Sequence, residues 1–203
     1  MTRKRDCRAA AYRHDRASEL LLWSSFRFKS DDPPLSTVEK SSMKAQEFGR
    51  PDAENHYLHA HVARLAESFK HWTGKDLVAL SLSPEEQAHK LFYAPFVVLS
   101  HNTAADPILN YANEAGLRLF ELTWSELIAM PSRLTAEMLA RAERARLLLE
   151  VSRNGFIDDY RGVRVTRSGR RFLIERATVW NLFDRNGVPY GQAAMFGEWR
   201  FLD

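Results

Sequence analysis

Residues 170–183 read RRFLIERATVWNLF, and their apolar side chains fall on both parities of an extended chain. Leu173, Ala177 and Val179 are interleaved with Phe172, Ile174 and Trp180, with Glu175 and Arg176 as the exceptions. Successive strand residues point to opposite faces, so this segment predicts a strand covered on both sides, central in a sheet. Behind it, Asp184-Arg185-Asn186-Gly187 has the composition of a tight hairpin turn and leads into VPYGQAAMFGEWRF. In front of it, Ser168-Gly169 joins it to IDDYRGVRVT. Three antiparallel strands with a doubly buried middle one need a layer of structure on each face.

The preceding residues supply candidates for those layers. A helix is predicted over 52–73, because Leu58, Val62, Leu65, Ala66 and Phe69 share one face and Gly74 follows as a stop. Ser83-Pro84-Glu85-Glu86 combines an N-cap serine, a proline at the first helical position and the glutamate of a capping box. It predicts a helix over 84–94 that ends at Ala94-Pro95. FVVLSH and ILNY then read as two short strands. Asn113 is a good N-cap, with Glu114 complementing the helix dipole and Leu117, Leu119 and Phe120 forming the buried side. Thr123-Trp124-Ser125-Glu126 is a second capping box, and Pro131 closes that helix. Thr135 can head a longer helix, with Met138, Ala142, Ala145 and Leu149 on one face, Glu137 paired to Arg141, and Asn154-Gly155 as its end. The order predicts an α+β domain: one five-stranded antiparallel sheet, short helices on one side and an N-terminal helical extension.

The chain has 203 residues, of which 45% are apolar, with five tryptophans, enough for one domain with appendages. Residues 1–50 read as a poorly ordered basic extension, and 51–203 as the domain. The formal net charge of +3 is located in that extension. Residues 1–30 hold eight Lys or Arg against Asp6, Asp15 and Glu19, so the remainder is slightly acidic and gives no charge-based reason to bind DNA. The basic tail itself reads as solvated. Met43 is an alternative start, which would make residues 1–42 an artefact of gene calling; intact mass of the native protein decides it. Cys7 is the only cysteine, which suits a reducing cytoplasm and excludes an intrachain disulfide. No apolar run is long enough to cross a bilayer, and no secretory signal is evident.

The stretch ILNYANEAGLRLFELTWSELI looks like the signature of PAS domains, in which a strand ends in an asparagine that caps a short helix. More narrowly, LSHNTAADPILNYANEAGLRLFEL, PSRLTAE, RNGFIDDYRGVRVTRSGRRFLIERATVWNL, YGQAAMF and SFKHWTGKDL resemble the MEKHLA family of PAS-like domains. The match runs over roughly residues 55–197 and points to the stand-alone bacterial type. The family also occurs at the C-terminus of plant class III homeodomain-leucine zipper transcription factors. No homeodomain or zipper is read ahead of the domain here, so no specific nucleic-acid binding is implied. The resemblance implies a non-enzymatic sensory, ligand-binding or protein-interaction module. It would act as a homodimer, through the N-terminal helix and a sheet face, or through a separate signalling partner. The alternative is a small-molecule enzyme of isomerase or hydrolase type using an internal cavity, with His101, Glu175 and Arg176 as the only nameable acid or base groups.

Specific chemistries are tested by residue type. The middle region SELIAMPSRLTAEM has no cysteine for a flavin adduct, and AEMLARAERARLLLEVSRNG has no histidine for a haem, so the cofactor is unknown. Noncovalent flavin or another small organic ligand is left open. His56, His59 and His61 in HYLHAH read as a solvated helix surface rather than a metal site. Asp158 and Asp159 are strand neighbours on opposite faces and cannot form an acid/base couple. His101 reads as a strand-end group bonding the following turn. No catalytic residue is assigned. An apolar cavity with a few oriented polar groups is how small-ligand sites are built. The candidates are Asn110, Tyr111, Arg133, Tyr160, Arg164, Trp180 and Gln192; the competing reading makes the aromatic members core.

Overall fold

The computed structural model describes residues 49–136, 150–151 and 153–202. Two helices come first: α1 (His59–Thr73) and α2 (Pro84–Phe92). Strands β1 (Val97–His101) and β2 (Leu109–Ala112) follow. Short helices α3 (Glu114–Phe120) and α4 (Trp124–Leu127) and a 3₁₀ turn at Ser132–Thr135 form the middle. The chain ends in β3 (Phe156–Val165), β4 (Arg171–Phe183), β5 (Pro189–Phe196) and β6 (Glu198–Leu202). All pairings are antiparallel and the order is β2-β1-β5-β4-β3. This is the α+β, PAS-like architecture, with β4 in the interior of the sheet.

The sheet has six strands rather than the expected five, because VPYGQAAMFGEWRF is divided at Gly197. β6 pairs with the first half of β4 in the register that β5 holds with the second half: Thr178 faces Met195 and Glu175 faces Glu198. The sixth strand is thus the fifth resumed. The interruption lies across from Arg176, whose φ of 53° breaks the regular extension of β4.

Local signals were obeyed at most helix ends. Ser83 and Thr123 both form complete capping boxes, and Gly74 ends α1 at φ 71°. Asn113 does more than cap. Its Oδ1 accepts from Gly116 and Val98 backbone N–H groups, and its Nδ2 donates to the carbonyls of Phe96 and Leu91. One fully buried amide therefore ties β1, α3 and the end of α2 together.

Two boundaries differ from the sequence reading. The first helix starts at His59, not Asp52, because Asp52 and Asn55 bond each other's backbone N–H groups and His56, Tyr57 and Leu58 adopt positive φ. The second ends at Phe92, two residues early, with Tyr93 as its C-cap before Pro95. Of the helix read from Thr135 to Asn154, residues 137–149 and 152 lie outside the described residues, as do residues 1–48 of the extension read over 1–50. Thr135 donates its hydroxyl to the Ser132 carbonyl, and Gly155 follows the helical residues 153–154.

Helix α1 packs on one face of the sheet, where its apolar side meets a row that crosses all five positions. Phe156, Trp180, Ala193, Ser100 and Tyr111 are successive cross-strand partners in β3, β4, β5, β1 and β2. Phe69 meets Trp180 edge to face, 5.0 Å between centroids, and His61 stacks on Tyr111 at 5.3 Å. The small residues Ala193 and Ser100 lie between these two bulky contacts. Helices α3 and α4 contact β1 and β2.

Candidate functional site

A cavity of about 90 Å³ opens on the sheet, with the strands below and Phe120, Ser132, Thr135 and Val151 among its walls. From the sheet it receives Leu99, His101, Ile157, Tyr160, Arg164, Ile174, Val179, Gln192, Ala194 and Phe196. Most of these alternate with the residues that face α1, as strand geometry requires. The lining is chiefly aliphatic, with a few polar groups. That is the composition of a small-ligand site, although an organic ligand of ordinary size needs ~300 Å³ or more.

The polar groups are held by local geometry. Gly162 permits the position of Tyr160: a Cβ at Gly162 would lie 2.1 Å from the Tyr160 hydroxyl oxygen. The ring consequently lies along the strand toward Arg164, whose guanidinium carbon is 5.0 Å from its centroid. Arg164 Nη1 donates to the Val163 carbonyl at 3.0 Å. Gln192 donates one amide N–H to Asn181 Oδ1 at 3.0 Å. His101 Nδ1 lies 2.8 Å from the Asn102 carbonyl, the turn-directed contact expected of it.

The seven predicted site residues are divided by the structure. Tyr160, Arg164 and Gln192 all border the cavity, Gln192 opposite Asn181 near one end of β4 and Arg164 opposite Phe172 near the other. Trp180 belongs to the opposite face, fully buried against Phe69, because it is one residue out of phase with Val179. Tyr111 is likewise buried under α1, stacked on His61. Asn110 accepts from the Ser100 hydroxyl at 2.7 Å. Arg133 is exposed and bridges Asp106 through Nε at 3.0 and 3.1 Å.

His61 departs from the solvated surface expected for HYLHAH. His56 and His59 are exposed, but His61 is 7% exposed. Its spacing from Leu58 and Leu65 puts it on the apolar side of α1, which was the legible signal. Nε2 is 3.0 Å from Ser100 Oγ and Nδ1 is 3.4 Å from the Tyr190 hydroxyl. Since Ser100 donates onward to Asn110, the consistent tautomer carries its proton on Nε2 and accepts from Tyr190. Burial, and then the charge of Arg64, lower its pKa to about 4, so the ring is neutral near pH 7. Among the described residues no group of three or more His, Cys, Asp and Glu could hold a metal ion.

The nominated enzyme groups are placed as follows. Glu175 bridges Arg161 at 3.3 Å and lies 3.9 Å from Arg200. Arg176 is exposed and pairs with Glu198. Asp158 and Asp159 are both exposed. His101 alone of the three nominated groups borders the cavity.

The MEKHLA domain model matches residues 59–201. The rice homeobox-leucine zipper protein HOX32 (Oryza sativa subsp. japonica) is 27% identical over 158 residues, covering 76% of this chain and 18% of the rice protein. ATHB-14 of Arabidopsis thaliana, also a homeobox-leucine zipper protein, is 28% identical over 148 residues, 70% of this chain and 17% of its own. The chain thus spans less than a fifth of the length of these relatives. Among solved structures, the PAS domain of a protein from Colwellia psychrerythraea aligns at 13% identity and TM-score 0.49, covering 58% of this chain and 95% of that one. An RNA-binding light-oxygen-voltage receptor aligns at 18% identity and TM-score 0.49, covering 64% and 35%.

Proposed function

We propose that this chain, which belongs to the MEKHLA domain family, is a non-enzymatic, PAS-like sensory module that binds a small molecule in the cavity. The observation that carries the reading is the cavity itself: an apolar space on a sheet in this topology, with Tyr160, Arg164 and Gln192 at its wall. Two of the three groups an enzyme would need are engaged elsewhere in ion pairs. The Nδ1 of His101 is directed to the Asn102 backbone carbonyl.

Transmission through a separate signalling protein fits better than self-association through α1. The outward side of that helix carries the exposed residues His59, Glu67, Lys70 and His71, a polar surface unsuited to an apolar dimer contact. The finer assignment, a stand-alone bacterial and cytoplasmic member whose domain begins near residue 51, is part of this proposal. The lone Cys7 supports the compartment. Among the described residues no helix is long and apolar enough to cross a membrane.

The test is native mass spectrometry of protein purified gently from its own host, beside a denaturing spectrum. A mass excess lost on denaturation supports the sensory reading and identifies the input. A bare protein mass, monomer or dimer, overturns the ligand and favours a pure interaction module. The denaturing mass also shows where the native chain begins.

A further inference from the structure

We propose that the cavity takes a short-chain monocarboxylate, with Arg164 as its counter-ion. The inference rests on the sensory reading and adds the chemical class of the ligand. It starts from a cation with no carboxylate partner among the described residues. Arg164 is half-buried on the cavity wall, where it donates to the Val163 carbonyl and lies over the face of Tyr160. Other arginines of this half of the molecule have carboxylates: Arg133 has Asp106, Arg161 has Glu175, Arg170 has Glu121 and Arg176 has Glu198. No Asp or Glu is among the described residues that line the cavity. A guanidinium withdrawn from water is stable when paired, and stacking on one ring replaces only part of its hydration.

The donors near the wall suit a carboxylate. A guanidinium has five N–H donors in a planar fork, one of which is used on Val163. The two oxygens of a carboxylate are acceptors only and match that fork. A neutral ligand would leave the charge unpaired. Inorganic phosphate would match the charge but not the lining, since Leu99, Ile174, Val179 and Phe196 ask for a hydrocarbon body. Size then limits the chain. A cavity of ~150 Å³ holds a benzene ring, and this one is about 90 Å³. It therefore accommodates fewer heavy atoms than benzene has, the scale of propionate.

The experiment uses the full chain and isothermal titration calorimetry with propionate, butyrate, propionamide and inorganic phosphate. The proposal expects propionate to bind at least about tenfold more tightly than propionamide or phosphate, and butyrate, with as many heavy atoms as benzene, to bind no better than propionate. Arg164→Gln should lose about tenfold or more in carboxylate affinity with a retained cooperative melt, and Arg164→Lys should recover part of it. The lysine variant keeps the test open if the glutamine variant does not fold. Equal binding of propionamide, or undiminished propionate binding by Arg164→Gln, overturns the carboxylate while the cavity reading stands. Phosphate binding best also overturns it, in favour of an inorganic anion. If no probe binds and the host protein carries no mass excess, both readings fall.

Discussion

Val179 and Trp180 are consecutive residues of β4, yet one borders the cavity and the other is fully buried beneath α1. The α1 face is filled: bulky residues on helix and sheet interdigitate around Ala193 and Ser100, and the buried histidine is bonded on both nitrogens. The other face is roofed partly by the polar Ser132–Thr135 turn, and it retains space and a guanidinium with no carboxylate partner among the described residues. The same strands thus anchor the fold with one set of side chains and turn most of the alternate set toward the cavity. A close-packed face transmits strain, whereas a face with a void tolerates changes of content.

The largest expected effect breaks the filled face. Trp180→Ala should destabilise by about 3–5 kcal/mol, and Val179→Ala, half-buried at the cavity, by about 1 kcal/mol. Chemical denaturation at constant m measures both. Equal losses would mean that the two faces are packed alike.

The next effect is read through pH. His61 has a folded pKa of about 4, below the ordinary value near 6.5, so the unfolded chain binds the extra proton between those values. Stability from this group is complete above about pH 6.5 and is lost as pH falls toward 4. With ~1.4 kcal/mol per pKa unit, the loss is on the order of 3 kcal/mol. His61→Phe should flatten the slope between pH 7 and pH 4.5 relative to the unsubstituted chain. An unchanged slope would place the neutral-ring requirement elsewhere.

These two residues also mark what was legible in the sequence. Element order, both capping boxes, the Asn113 cap and the central β4 could all be read, because each rests on residues within a few positions of one another. The faces could not be resolved in the same way. The strand pattern admits Trp180 and Gln192 to one candidate site, but their phase depends on the break at Arg176 and on the cross-strand register, which the local pattern does not state. Gly162 gave no signal of its role, since the clash it avoids comes from the Tyr160 ring folding back along the strand. The spacing of His61 places it on the apolar side of α1, whereas its residue type points to solvent. Its burial depends on Ser100 and Tyr190, which are distant in sequence.

A smaller effect sharpens the comparison at adjacent alanines. Both Ala193 and Ala194 border the cavity, but only Ala193 stands in the row beneath α1. Ala193→Val should overpack that row and cost about 1–3 kcal/mol. Ala194→Val should be within about 0.5 kcal/mol of neutral, because added methyls enter open space. It should also weaken the binding of any ligand in the cavity, which titration of the same variant would show.

The smallest effect concerns a hydroxyl. Tyr111 is fully buried, stacked on His61, and its hydroxyl oxygen has no hydrogen-bond partner among the described residues. Burial alone raises its pKa, so the group stays protonated and contributes an unmet donor rather than a charge. Tyr111→Phe removes that unmet polar group while keeping the ring, and the variant should be unchanged or more stable by up to about 1 kcal/mol. A loss greater than that would show that the hydroxyl is satisfied by a buried water, and the α1 face would then be wetter than its packing indicates. The sign of this one substitution therefore separates a dry face from a solvated one, which the larger truncations cannot do because they destabilise in either case.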